Sequence, residues 1–238
     1  TPQSIATGIV YFVTQLCNLN VTKSDISVVS TVSEVTINKC YKKLEDIQDK
    51  FLPPVIKEKY QCKSLFIQGC KQWSLGDFEK NKYKVKFESL FSSLPKKSLC
   101  LISVGEIDCR LDSGVIKYKN KYPKKNLTKI IEVTVERYLN YIYNINSNNH
   151  CIIIQGIPCP NINRNKIPKE KINELINVIK NFNLLLKEKS SKMKFSFLDL
   201  HKLTDRGDGF SNKKWHLDTY HLIPEAIIKS LNEMKLIK

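Results

Sequence analysis

Apolar and polar positions change their rhythm near residue 60. Before it, apolar residues recur at helical spacing at Ile5, Ile9, Phe12, Val13 and Leu16, which predicts a helix with that face buried and Pro2 in its first turn. Lys23-Ser24-Asp25 opens a second, short helix that runs to about Val29. Thr31-Val32-Ser33 forms a turn, and Ser33 caps a third helix from Glu34 to about Leu44, with Val35, Ile37, Cys40, Tyr41 and Leu44 as its apolar face. Phe51-Leu52-Pro53-Pro54 breaks the chain, and residues 55–60 can add one last turn. After residue 60, short apolar runs at 64–69, 99–105, 151–156 and 195–200 read as strands. Long helical patterns separate them, clearest at 127–145 and 169–186, and residues 223–236 close the chain as a helix. Strands alternating with long helices predict a parallel sheet covered on its faces.

Length and composition narrow the classes. The 238 residues are 42% hydrophobic, enough to bury a core, and no apolar run approaches a membrane span, so no membrane is expected as a partner. Thr1 is not followed by a signal-peptide pattern, and the chain is expected to begin inside a longer reading frame. Eight cysteines are scattered without a CxxC or a zinc-like Cys/His spacing, which favours reduced thiols, an intracellular location (cytoplasmic or nuclear), and neither metal nor cofactor. The sequons at Asn20 and Asn126 match a very common pattern.

The net charge of +16 admits a polyanion partner. Only Arg110, Arg137, Arg164 and Arg206 are arginines, however, and Lys, Asn and Ile are enriched together, as AT-rich coding alone would produce. Residues 1–60 carry seven Lys against six acids, so nearly all the excess lies beyond them.

The stretch KSDISVVSTVSEVTINKCYKKL has the form of a helix-turn-helix. Its second helix exposes Glu34, Thr36, Asn38 and Lys39 towards base edges, with Lys42 and Lys43 available to phosphates; the alternative is an ordinary packing pair. TPQSIATGIVYF, then SDIS, then VSEVTINKCYKKL resembles the end of the second cyclin-like repeat of transcription factor IIB. That resemblance covers roughly residues 1–60. It implies a five-helix repeat, contact with promoter DNA and TATA-binding protein, and Val35 and Asn38 facing DNA, with Lys39 and Lys42 beside them.

Beyond residue 60, Asp218-Thr219-Tyr220-His221 is a turn in which a carboxylate can orient an imidazole as general base, or a plain exposed turn. The segment Gly105-Glu106-Ile107-Asp108-Cys109-Arg110 follows a strand at the edge where parallel sheets bind ligands. Three charges in five positions there read as a pocket, or as a surface loop with an Asp108–Arg110 pair. Gly69 follows another run and can offer its N–H to an oxyanion, or simply turn the chain.

GCKQWSLG, ISVGEIDCR, FSFLDL and WHLDTYHL together resemble the SGNH/GDSL hydrolase superfamily over about residues 61–230. The resemblance implies a three-layer α/β/α fold of flavodoxin-like order behind the small helical fragment, with its first strand missing. It further implies esterase or acetyl-hydrolase chemistry on acyl or acetylated carbohydrate substrates without a metal, with Asp218 and His221 in the final block, Gly69 in the oxyanion block and Gly105 in the third. The family's Gly-Asp-Ser nucleophile block is absent, and Ile107 stands where its third block has Asn. Ser74 and Cys70 are the remaining candidate nucleophiles, while Ser64 lies at the wrong end of its run. The composite expected is therefore a helical segment at 1–60 and a weak or inactive hydrolase-like domain at 61–238.

Overall fold

The computed structural model describes residues 2–16, 21–51 and 64–235. The chain separates into two compact units, Thr1–Phe66 and Ile67–Lys238. The sequence features expected at Cys17, Asn20, Cys62 and residues 52–60 lie outside the described residues, as do the side chains of Val13, Leu16 and Leu44.

The first unit holds α1 (Pro2–Leu16), α2 (Lys23–Ser30) and α3 (Glu34–Phe51). A capping box starts α2: Thr22 Oγ1 accepts the Asp25 N–H at 3.1 Å while the Thr22 N–H donates to Asp25 Oδ2 at 2.7 Å. Thr31 ends that helix in the left-handed region at φ 57°, and Ser33 Oγ accepts the Thr36 N–H at the start of α3. Ile26, Val32 and Ile37 are buried together, with Tyr11 and Val21 against them. Helix α1 approaches α3 so closely that a Cβ on Gly8 would lie 2.2 Å from Cys40 Cβ. The α1 face buried here carries Thr7 and Gly8, not the apolar face read from the sequence: Ile5 and Ile9 are 58% and 43% exposed. Likewise Val35 leaves the expected apolar face of α3 and is 65% exposed, because Ile37 takes the inward position. The three described helices offer too few neighbours to cover every apolar face, and periodicity alone cannot say which one stays uncovered.

The second unit contains α4 (Gln72–Leu75), α5 (Lys82–Ser92), β1 (Leu99–Ile102), α6 (Glu106–Cys109), α7 (Gly114–Lys121) and α8 (Leu127–Ile145). There follow β2 (Cys151–Gln155), a 3-10 turn at Arg164–Lys166, α9 (Lys169–Lys192), β3 (Ser196–Leu198), α10 (Leu200–Thr204) and α11 (Pro224–Glu233). The strands pair in parallel in the order β1-β2-β3, with Leu99 opposite Cys151 and Ile153 opposite Ser196. Alternating side chains serve two clusters. Cys100, Ile102, Ile152 and Ile154 join the main core with Ile131, Tyr138 and Leu139 of α8 and Val178, Phe182 and Leu186 of α9. Ile153 and Leu198 join Leu200 and Leu231 on the other side.

The run 64–69 forms no strand. Phe66 is 71% exposed, the Cys70 N–H closes onto the Ile67 carbonyl, and Gly69 turns the chain at φ 70°. Only Ile67 of that run packs on the core, and without a ladder partner the segment stays a loop. Helices on both sides of a small parallel sheet agree with an α/β unit. A flavodoxin-like sheet runs 2-1-3-4-5, whereas the described residues provide three strands in consecutive order, so they show the coarser α/β arrangement and not the flavodoxin-like order. No described helix is long and apolar enough to cross a membrane.

Candidate functional site

In a parallel sheet every strand delivers its following loop to the same edge, and here those loops interlock. After β1, Gly105 (φ 135°) leads into the single turn of α6. The Asp108 carboxylate points inward and accepts the backbone N–H groups of Gln72 at 2.8 Å and Trp73 at 3.1 Å, the free donors at the start of α4. Burial pushes the Asp108 carboxyl up to about 6, against the opposing pull of those N–H groups. The Gln72 amide donates to the Val104 carbonyl at 2.8 Å and fills the space a Cβ on Gly105 would need. Asp108 and Gly105 therefore brace the loop. Asp108 is wholly buried and does not line the pocket expected of it, because backbone donors rather than water satisfy its charge.

Arg110 pairs with Glu106, not with Asp108, through Nε at 2.9 Å and Nη2 at 2.6 Å. Its guanidinium lies 3.8 Å over the Tyr220 ring, so the loop after β1 touches the turn at 218–221. Asn161, in the loop after β2, donates to the Asp218 carbonyl at 2.9 Å. The blocks around 105–110 and 218–221 thus meet at the carboxyl edge of the sheet.

Within the turn, Asp218 Oδ1 accepts the N–H groups of Tyr220 at 2.7 Å and His221 at 2.8 Å, and Oδ2 lies 2.7 Å from His221 Nδ1. The backbone donors of His221 and Tyr220, then the His221 ring, hold the Asp218 carboxyl well below the usual carboxylate range. A carboxylate at Nδ1 fixes the tautomer that leaves Nε2 free as a base. Both side chains are exposed, and no described serine or cysteine hydrogen-bonds His221.

The candidate nucleophiles fit poorly. Cys70 is buried and its thiol is pushed up to about 12, first by burial and then by Asp108, which leaves it protonated and inert. Ser74 precedes the C-terminus of α4, and its carbonyl anchors Asn81. Gly69 has Tyr83, not the Asp218–His221 pair, as its nearest side chain. A groove of about 400 Å³ between α8 and α9, lined by Leu127, Glu170 and Asn181 among others, includes no residue of these blocks.

Sequence reasoning missed a second histidine contact: buried Ser211 Oγ lies 2.8 Å from His216 Nδ1, and the intervening loop conceals the pairing.

In the first unit, Val35, Lys39 and Lys42 are exposed on α3, and Asn38 is half-buried between them. Their spacing of three and four residues lays them along one face, opposite Ile37. All four arginines lie in the second unit and have partners: Arg137 over Phe78, Arg164 and Arg206 on Asp208, and Arg110 as described.

Residues 1–47 match the family model of the transcription factor TFIIB repeat. No curated protein and no solved structure matches the chain. The matched span takes in α1, α2 and most of α3, and it ends before the α/β unit.

Proposed function

We propose that residues 1–60 act as a transcription-initiation element that contacts promoter DNA together with TATA-binding protein through the α3 face. The observation that carries this reading is the TFIIB-repeat match over residues 1–47, coincident with a capped helix-turn-helix. Val35 supplies an apolar contact suited to a thymine methyl, Asn38 a two-sided amide, and Lys39 and Lys42 phosphate contacts. With seven Lys against six acids, the segment has little charge to hold bare DNA. The partner protein then provides most of the recruitment, and α3 adds register. Gel-shift titration should show a complex of chain, TATA-binding protein and TATA duplex, weakened about tenfold or more by Val35→Ala with Lys39→Ala. Absence of that ternary complex with wild-type chain rejects the proposal.

A second reading concerns residues 61–238, which we take as an SGNH-like acyl-hydrolase relative that retains its proton-handling pair without a nucleophile. It is supported by the 2.7 Å Asp218–His221 contact and by the Arg110–Tyr220 stack that joins two blocks of the resemblance. In this reading His221 is the base and Asp218 orients it; an acyl or acetylated carbohydrate is the substrate class. With no hydroxyl on His221 among the described residues, p-nitrophenyl acetate should be hydrolysed no faster than in buffer, and His221→Ala should change nothing. Turnover abolished by His221→Ala would show a working nucleophile instead.

A further inference from the structure

We propose that Cys159, His201 and Asp205 form a binding site for a borderline divalent cation of the Zn²⁺ class, independent of both functional readings. One donor atom from each of the three residues lies within 4.8 Å of the others. The backbone explains why residues so far apart in sequence converge. Strands β2 and β3 are parallel neighbours, Gln155 pairs with Leu198, and the Gly156 N–H donates to the Leu198 carbonyl at 2.8 Å. Cys159 follows β2 by four residues and His201 follows β3 by three, so both emerge side by side at the carboxyl edge. The Cys159 N–H then donates to Thr204 Oγ1 at 2.9 Å, which pins the cysteine against α10. Asp205 caps that helix one turn after His201, its N–H on the His201 carbonyl at 3.0 Å.

The donors are prepared unequally. Asp205 Oδ1 accepts the N–H groups of Gly207 at 2.8 Å and Gly209 at 2.9 Å, which fixes the carboxylate and leaves Oδ2 without a hydrogen bond. His201 Nε2 is buried and has no partner, an uncompensated loss of hydration that a metal bond removes. Cys159 Sγ makes a long contact of 3.6 Å to the His201 carbonyl and a side-chain contact with Thr204, both weak bonds for sulfur. Thiolate, imidazole and carboxylate together suit a borderline cation and disfavour Mg²⁺ or Ca²⁺, which take oxygen donors. Three protein ligands leave one tetrahedral position for water. Binding exchanges the Cys159 S–H bond for an S–metal bond and releases that proton to solvent.

The test is Co²⁺ titration of the full-length, chelator-treated, reduced chain. Wild type should take up one equivalent with a thiolate-to-cobalt charge-transfer band, displaced by Zn²⁺. Cys159→Ser should abolish the band. His201→Gln, at a partly exposed position, should keep the far-UV circular dichroism and weaken binding by more than about 100-fold, since even supporting residues around a metal change affinity 10- to 100-fold. Cys151→Ser, which removes an exposed thiol outside the cluster, should change nothing. The proposal is overturned if wild type binds no cobalt, if the band survives in Cys159→Ser, or if His201→Gln binds as tightly as wild type. Should Cys159→Ser fail to fold, His201→Gln decides alone.

Discussion

Asp108→Ala is expected to destabilise the α/β unit by about 3–5 kcal/mol. Among the described residues its carboxylate is the acceptor for the Gln72 and Trp73 N–H groups, and truncation leaves the Gln72 donor unpaired in the buried interior and the Trp73 donor unpaired at its part-exposed margin. The same residue imposes a pH dependence. Burial raises its folded pKa to about 6 from 3.8, so between those values the native state holds a proton that the unfolded chain has released. The stability from this group is therefore full below about pH 4 and lost as pH rises through 6, by about 2–3 kcal/mol. Asp108→Asn removes the titration. The wild-type advantage over that variant in urea midpoints should be widest near pH 4 and shrink towards pH 7. An advantage that grows with pH would mean that the Gln72 and Trp73 N–H groups outweigh burial and hold the folded pKa below the unfolded one.

Asn183→Ala should cost about 2–4 kcal/mol. Asn183 sits on α9 and uses its whole amide: Oδ1 accepts the Ile157 N–H at 2.8 Å, and Nδ2 donates to the carbonyls of Ile157 and Ile179 at 2.9 Å. It thereby ties the loop after β2 to the long helix, with a Cβ on Gly156 excluded by contacts of 2.9 Å to Asn183 Oδ1 and 2.8 Å to Phe197. Urea unfolding gives the loss, and hydrogen exchange gives its place: the Ile157 amide should lose protection before the amides of β2. Unchanged exchange at Ile157 would contradict the tie.

Local signals carried far in the sequence. The cap at Ser33, the long stripes of α8 and α9, and the Asp218–His221 turn each depend on residues within one or two helical turns, where spacing and chemistry suffice. What failed depended on partners elsewhere. The run 64–69 has strand composition, yet a strand exists only where another offers a ladder. Ile5 and Ile9 lie on a good helical stripe that this unit leaves in solvent. Asp108 looks like a surface charge until two distant backbone N–H groups arrive. The Cys159, His201 and Asp205 cluster was invisible because parallel pairing, not spacing, assembles it.

In the proposed transcription reading, these units separate two sources of DNA affinity. The α/β part carries nearly all the excess charge as lysine, which binds any polyanion weakly and without selection, whereas discrimination is the role proposed for the α3 face. Fluorescence anisotropy on a TATA duplex with TATA-binding protein, taken over a range of salt, tests the central claim most directly. The account predicts that Lys39→Ala with Lys42→Ala lowers the salt slope by about two while weakening TATA and random duplex alike, and that Val35→Ala with Asn38→Ala removes the preference for TATA over random duplex. A slope and preference unchanged by those substitutions would place DNA binding in the lysines beyond residue 66 and contradict the assignment of α3.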